Sequence, residues 1–435
     1  MGEHILEYPE IEIYTSSLSP SKLDELGLLS WFECHKRLHM LYQEALLEII
    51  NGDNETVKEA FLVHGKVKVL VLEAITLSVW RQNIFPCLCN IQISKEKVFA
   101  VFTVLYHEVT AFGLLESLAF YSDCVESLHD TAVELLDYCV ASILQIINRD
   151  VPKVLHEKLD ELTAQEELQH HESNIVHNLA VKSISVIRYL AEAFEHLPLN
   201  ITSRFYNNHD VPMLLCKVIE MAPWCTTGTD GKQYHFVDGN WRKRQSTDEA
   251  INKSEGQAWL SLRQVLLDQR LLQYYEFNDY RRQQLCKLIR HLHDDMLDQL
   301  SPLAELKHFL CQLSVANLPT PQARPLILEL VAEYRDKLLR KFANKWEKLT
   351  MKQADMLRDL DINQIRSIAK GLSETYRTLD LVEPESAKCG NCGEPAASRC
   401  SRCKSEWYCG RECQVKMWNK HKSICALISD QSVSQ

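Results

Sequence analysis

Apolar residues recur along most of the chain at the offsets of a single helix face. Val67, Leu70, Val71, Ala74 and Ile75 repeat at i, i+3, i+4, i+7 and i+8. Val211, Leu214, Leu215, Val218 and Ile219 repeat with the same offsets, and Ala180, Ile184, Ile187 and Ala191 make a further stripe. The first two runs each follow a turn with a histidine in it, His64-Gly65 and Asn208-His209-Asp210. Pro212 stands just inside its helix start, where a missing N–H costs nothing. Helical period dominates from Lys22 to Thr378, so the chain is expected to be mainly α.

The turn followed by Val-Pro-x-Leu-Leu resembles the start of an armadillo repeat's packing helix. Two copies are recognisable, far apart and off any regular period. The expected body is therefore an irregular armadillo- or HEAT-like α-solenoid, with a non-repeating helical bundle as the alternative.

Two breaks interrupt the period. Asp150 to Glu172 is acid-rich and reads as a solvated face or linker, although Val154, Leu155, Leu159, Leu162 and Leu168 leave an amphipathic helix open. Pro223 to Glu255 carries Gly228, Gly231 and Gly239, and Tyr234 to Val237 followed by Asp238-Gly239 and Asn240-Trp241 reads as a small hairpin. The Arg242-Lys243-Arg244 run beside it reads as a solvated loop. Farther on, Leu330, Tyr334, Leu338, Phe342 and Trp346 recur every fourth residue, predicting one long connecting helix or two. The expected division is 1–222 as an N-terminal helical region, 223–256 as a loop or hairpin insertion and 257–384 as a C-terminal helical region with the connecting helix. A finger follows at 385–428 and a tail at 429–435.

Composition narrows this picture little: 46% of the 435 residues are apolar and 25% charged, as in ordinary globular chains. A net charge of −11 argues against a general nucleic-acid binder. Met1 to Glu10 lacks the basic start and apolar run of a secretory signal. Val98 to Phe120 is long and apolar enough to raise a membrane question. His107, Glu108 and Glu116 within it would be expensive in hydrocarbon, so a buried core helix is expected and no integral membrane segment. Phosphate loop, dinucleotide glycine fingerprint and Gly-x-Ser-x-Gly elbow are all missing from the sequence, and no enzymatic activity is expected.

Cysteine placement does change the picture. Seven of the sixteen cysteines fall between Cys389 and Cys425. Without an export signal, such a cluster means metal rather than disulfides. The donors pair as Cys389-x2-Cys392, Cys400-x2-Cys403, Cys409-x3-Cys413 and His421-x3-Cys425. A C-x2-C pair reaches one ion from a tight turn, which Asn391 and Gly393 suit, whereas an x3 pair shares one helix face. Eight donors fill two four-coordinate sites and leave no position for water, which predicts two structural zinc ions. Spacing alone leaves open whether the pairs are shared sequentially or alternately. Seven Lys/Arg and three Glu within the segment give +4, seven thiolates and two Zn²⁺ add −3, and the sum is +1. The basic residues are thus accounted for by the thiolates and need no nucleic acid. Elsewhere Cys87 and Cys89 read as core, and Cys34, Cys124, Cys139, Cys216, Cys225, Cys286 and Cys311 read as small hydrophobes in helices.

This segment is similar to the MYND zinc fingers at every ligand position. The resemblance implies alternating pairs, with Cys389, Cys392, Cys409 and Cys413 on one ion and Cys400, Cys403, His421 and Cys425 on the other. MYND fingers generally bind short proline-containing peptides through a helix-borne Gln and Trp four residues apart. Gln414 and Trp418 match that pair, with Trp418 as a cover for the zinc-site core as the plainer reading. His64 to Val67, Asp137 to Cys139, Val186 to Tyr189, Gly256 to Trp259 and Glu374 to Arg377 extend the likeness. With Glu406-Trp-Tyr-Cys409 and Arg411 to Lys416, the chain resembles over nearly its full length a family of axonemal dynein assembly factors.

That resemblance implies a cytoplasmic scaffold for pre-assembly of inner and outer dynein arms in cells with motile cilia, including centriolar satellites and the apical cytoplasm. The partners it implies are a leucine-rich-repeat assembly factor, Hsp90-linked co-chaperones and dynein chains as clients. Two rivals carry the same finger. A MYND-SET lysine methyltransferase would need an Asn-His-Ser-Cys segment that the sequence lacks, and a nuclear corepressor would be expected to concentrate on chromatin.

Overall fold

We describe a computed structural model of the protein over residues 4–52, 54–91, 94–148, 162–228, 231–237, 239–244, 250–315, 331–361, 363–370, 372, 389, 391–392, 396, 398–401 and 407–429. At a few helical positions, Cys425 among them, only the backbone is described. The chain is mainly α and divides into two compact units, Met1–Leu372 and Ser373–Gln435.

The body opens with α1 (Tyr8–Ser17), α2 (Leu29–Asn51) and α3 (Thr56–Val63), then α4 (Val67–Asn83), α5 (Phe85–Cys89) and α6 (Val98–Ala119). Gly52 ends α2 in the left-handed conformation, at φ +63, which an L side chain resists. After α7 (Ser122–Glu126) come α8 (Thr131–Ile147), the 29-residue α9 (Ala164–Glu192), α10 (Leu199–Ser203) and α11 (Val211–Met221). A single π-turn, Arg204–Asn208, precedes α11. The later body holds α12 (Lys253–Leu267), α13 (Leu271–Tyr274), α14 (Asp279–Lys287), α15 (Asp294–Gln299) and α16 (Leu303–Val315). Neighbouring helices stack in the order α4, α6, α9, α12, α16, each in contact with the next, which gives the irregular solenoid its spine.

The apolar stripes lie where the sequence places them. Val67, Leu70, Val71, Ala74 and Ile75 are buried, as are the five stripe residues of α11 and all four of α9. Yet α4 is enclosed on every side, because Glu73, Thr76, Ser78 and Arg81 are buried as well. α6 is long and apolar enough by composition to cross a membrane, and 83% of its apolar window is buried inside the body. Gly113 lets α6 and α2 approach, since a Cβ there would lie 2.6 Å from Cζ of Tyr42. Residues 150–161 of the acid-rich segment lie outside the described residues. From Ala164 onward the segment is α9, opened by a capping box between Thr163 and Glu166, with Leu168 buried. His171 is not solvated but packs on Phe102, with ring centroids 4.6 Å apart.

The glycine-containing insertion forms an antiparallel sheet of β1 (Cys225–Thr227), β2 (Gln233–Val237) and β3 (Asn240–Lys243), in that order. The expected hairpin is β2–β3, with Phe236 opposite Trp241, and Thr226 on β1 pairs with Tyr234 to add a third strand. Phe236 packs on His177 of α9 at 4.4 Å between ring centroids, which anchors the sheet to the stack. Of the cysteines read as small hydrophobes, Cys124, Cys139 and Cys216 are buried. Cys286 is half-buried, Cys34 and Cys311 are exposed instead, and Cys225 stands exposed on a strand; of the pair read as core, Cys89 is buried but Cys87 is exposed.

Of the expected one long connecting helix or two, the structure has separate helices, α17 (Tyr334–Phe342) and α18 (Trp346–Asp359), followed by α19 (363–370). Residues 343–345 turn between the first two, so Trp346 opens a new helix rather than extending the four-residue stripe. Leu330 lies outside the described residues. The broken segment doubles back onto the first helices: α17 packs on α4 and α18 on α5.

Carboxylates on core helices fix where other segments begin. Glu44 and Glu48 stand one turn apart on α2. Glu44 accepts the amides of Ile5 (2.7 Å) and Leu6 (3.1 Å), and Glu48 those of Thr56 (3.0 Å) and Val57 (3.1 Å) at the start of α3. Glu73 of α4 accepts Ser21 N–H at 2.6 Å, and Glu134 of α8 accepts the amides of Glu333 and Tyr334 at 2.7 and 2.9 Å. Helix starts leave unpaired N–H groups and carry partial positive charge, so at α3 and α17 a carboxylate from a neighbouring helix serves as the cap, whereas Glu44 and Glu73 hold amides of non-helical segments. Replacing Glu48 with alanine removes the partner of two α3 amides and should lower stability by about 1–2 kcal/mol in urea denaturation.

A buried polar network ties the same helices sideways. Arg81 makes a two-pronged ion pair with Glu108 (2.8 and 3.1 Å), and Tyr138 donates to Glu108 at 2.8 Å, joining α4, α6 and α8. Nδ1 of His35 and Nδ1 of His107 lie 2.7 Å apart, and Nε2 of His107 lies 3.0 Å from Glu73. With His107 donating to Glu73, its Nδ1 accepts from Nδ1–H of His35. Burial pushes His35 well below its ordinary value, His39 down to about 3 and His177 down to about 4. Bases held neutral in the fold but free to charge when unfolded stabilise fully above about 6.5, and that stability is lost as pH falls toward the depressed values. Each should remove about 2 kcal/mol between pH 7 and pH 5. Urea midpoints followed by circular dichroism test this, and an unchanged midpoint at pH 5 would show that these rings already carry charge.

Candidate metal centre

The finger is built from two short strands and one helix. β4 (Ser398–Arg399) pairs antiparallel with β5 (Trp407–Tyr408), and α20 (Arg411–Ser429) follows directly. Cys389, Cys400 and Tyr408 are its buried centre, at 3%, 1% and 2% exposure, with Ala396, Cys413, Met417 and Trp418 packed around them. Among the described residues, that apolar centre is far too small to fold such a unit on its own.

The sulfurs supply what the core lacks. Sγ atoms of Cys389, Cys392, Cys409 and Cys413 all lie within 4.8 Å of one another. Cys392 and Cys409 are 3.5 Å apart, Cys409 and Cys413 3.5 Å, and Cys392 and Cys413 3.7 Å. Tetrahedral zinc with bonds of about 2.3 Å sets its sulfurs about 3.8 Å apart, so the four-thiol set fits that ion. The grouping takes one pair from the turn at 389–392 and one from the start of α20, so the strands lie inside the loop that the ligands close.

Proton placement in the cluster also favours a cation. Desolvation pushes the Cys389 thiol up, but backbone groups of Cys409, Asn391 and Cys392 draw it down to about 6. Hydrogen bonding with Cys392 and Cys413 pushes Cys409 up to about 12. Four thiols this close cannot all ionise unless a cation holds them together. Asn391 donates from Nδ2 to Sγ of Cys413 at 3.2 Å, crossing from the turn to the helix. Such an outer partner orients a ligand and lessens its charge. The short side chain at 391 hinted at a tight turn in the sequence, but nothing there pointed to its hydrogen bond.

Of the remaining expected ligands, Cys400 and His421 are both buried, and the His421 ring lies 6.1 Å from that of Tyr408. Cys403 lies outside the described residues, as does the side chain of Cys425. Gln414 and Trp418 sit half-buried on α20. Trp418 packs on the finger core and lies 6.0 Å from His421, ring to ring, so it does at least part of the work of a core cover. Arg399 stacks over Trp407 at 4.2 Å, and Val415 between the two candidate residues is 65% exposed.

Serine at Cys409 leaves three sulfurs in the shell. We expect bound zinc to fall and amide exchange to rise across β4, β5 and α20, with the melting transition of the body unchanged. Elemental analysis and exchange mass spectrometry read both.

The MYND finger family matches residues 389–425. The chain is 30% identical to "Zinc finger MYND domain-containing protein 10 homolog" of Drosophila melanogaster, over 96% of this chain and 98% of that one. Shorter likenesses are to "Ubiquitin C-terminal hydrolase 15" of Oryza sativa subsp. japonica, 44% identical over 11% of this chain and 5% of that one, and to mouse "Protein CBFA2T2", 27% identical over 24% and 16%. No solved structure matches the chain. A likeness that runs through body and finger together, on top of the four-sulfur cluster, places the chain in the family of zinc finger MYND domain-containing protein 10.

Proposed function

We propose that the protein is a cytoplasmic adaptor, not an enzyme, in the pre-assembly of axonemal dynein arms. In this reading its finger holds two structural zinc ions. Cys389, Cys392, Cys409 and Cys413 hold one, and Cys400, Cys403, His421 and Cys425 hold the other. The observation that carries the reading is the closed four-sulfur set. A shell filled by protein donors has no position for a substrate or water, so the finger can hold a surface but not run a reaction. Zinc supplies folding energy here, on the order of 10 kcal/mol in small fingers.

The face it holds up is that of α20. Gln414 and Trp418, four residues apart, present an amide beside an aromatic ring, which suits an extended proline-containing segment. Partial burial of Trp418 favours this over a mobile side chain, because a fixed ring loses less entropy on binding. Near full-length likeness to a relative of the same type supports a shared role for body and finger, and the partners follow from the dynein-assembly resemblance. They are a leucine-rich-repeat assembly factor, Hsp90-linked co-chaperones and dynein chains as clients, met in the cytoplasm and at centriolar satellites.

Affinity capture from ciliated cells tests this. Trp418→Ala should keep two equivalents of zinc and lose at least about tenfold in recovery of the leucine-rich-repeat factor. Full recovery by a folded Trp418→Ala protein would reduce the finger to a structural cap, and location mainly on chromatin would favour a nuclear corepressor.

A further inference from the structure

The two sides of α20 differ in what they carry. Cys413, Met417 and His421, spaced four apart, belong to the finger's packed interior. Arg411, Val415, Trp418 and Lys422 stand at i, i+4, i+7 and i+11, one stripe along the helix, with Gln414 at its edge. Arg411, Val415 and Lys422 are exposed, and Gln414 and Trp418 are half-buried. The face that holds the docking pair is therefore an apolar centre with a cation at each end.

Neither cation has a carboxylate partner among the described residues. In the body, by contrast, Arg81, Arg204 and Arg281 each hold one, from Glu108, Asp137 and Asp210. Glu412, the only acidic residue of α20, lies about 100° around the helix from Arg411. The finger's basic residues offset its thiolates in sum, but a sum does not fix where a charge stands. Cys389 and Cys400 are buried, whereas Arg411 and Lys422 face water.

Spacing sets the pattern a partner must carry. Eleven helical residues rise roughly 16 Å, at about 1.5 Å each. An extended chain advances about 3.3 Å per residue, so carboxylates that reach both cations stand about five positions apart. The proline and its apolar neighbours then lie between them, over Val415 and Trp418. A nucleic acid would meet the same two cations, but it gains affinity from many phosphate contacts at once, and the chain's net charge of −11 opposes it.

We infer that α20 selects, among proline-containing segments of other proteins, those with two acidic residues about five positions apart. Arg411 takes one carboxylate and Lys422 the other. This rests on the reading of Gln414 and Trp418 as the docking pair and adds to it the charge of the ligand.

Three capped fluorescent peptides, titrated into the zinc-loaded full chain, test it by anisotropy: Glu-Ala-Pro-Pro-Leu-Glu, the same with Gln at both ends, and the same with Lys. Wild type should bind the Glu peptide about tenfold more tightly than the Gln peptide and the Lys peptide least, since exposed ion pairs are individually weak but add. The gap should close in about 0.5 M salt, where such pairs are screened. Arg411→Glu/Lys422→Glu should reverse the order, and Trp418→Ala should lose all three peptides. If the double Glu variant does not fold, Arg411→Gln/Lys422→Gln should bind the Glu and Gln peptides equally. Equal binding of all three by wild type, lost in Trp418→Ala, would overturn the acidic selection and leave the docking face standing. A Glu preference that survives the double variants would overturn the assignment to Arg411 and Lys422. Failure of wild type to bind any peptide would sink the docking reading and this inference together, and an oligothymidylate that outcompetes the Glu peptide would give the stripe to nucleic acid instead.

Discussion

The body depends on carboxylates that reach from one helix to the start of another segment. Glu44, Glu48, Glu73 and Glu134 do this from α2, α4 and α8, in each case accepting backbone N–H groups that would otherwise lack a partner. An apolar stripe tells a helix which face to bury but leaves it free to slide along its axis. A cap fixes that axial position, because the N–H groups it satisfies exist only at the end. Glu44 and Glu48, four apart on one face, would repel each other as bare charges. With each drawing two amides, the repulsion is offset and the pair holds the Ile5–Leu6 segment and the start of α3 against α2 at once.

This is also where the sequence stops being legible. Apolar period reveals a helix face because each residue's neighbour at i+4 is on the same chain segment. It cannot reveal that Glu134 caps a helix some two hundred positions later. The polar residues of α4 illustrate the limit. Glu73, Thr76 and Arg81 lie off the apolar stripe, and each meets a distant partner that no local pattern names: Ser21 for Glu73, Tyr334 for Thr76, Glu108 for Arg81. The hairpin was readable from its Asp-Gly turn, whereas β1 was not, since Cys-Thr-Thr has no alternation long enough to mark a strand. The stripe through Tyr334 and Trp346 left one helix or two open because the turn at 343–345 contains neither proline nor glycine.

The finger is the reverse case. Its candidate ligands could be named from spacing, because chelation by C-x2-C or by i, i+4 is a local matter. Which pairs meet is a long-range matter, and two thiol pairs satisfy spacing equally well whether shared in sequence or across it. The structure gathers Cys389 and Cys392 with Cys409 and Cys413, so the chain between the pairs is tied at both ends. Asn391 then bonds to Cys413 over the same gap, which only a folded turn could have revealed.

The two units therefore resist unfolding by different means. The body spreads its stability over a buried apolar core with carboxylate caps and an Arg81–Glu108 pair inside it, so a single lost contact is a fraction of the whole. The finger concentrates its stability in a few metal–sulfur bonds, so a lost ligand removes most of it. Acid attacks both, but at different groups: buried neutral histidines in the body and thiolates in the finger. α17 and α18 share in the body's core through Phe342, Leu349 and Ala354, with Gln353 bonded to Trp80 and Leu23 beside them, so they belong with the distributed case.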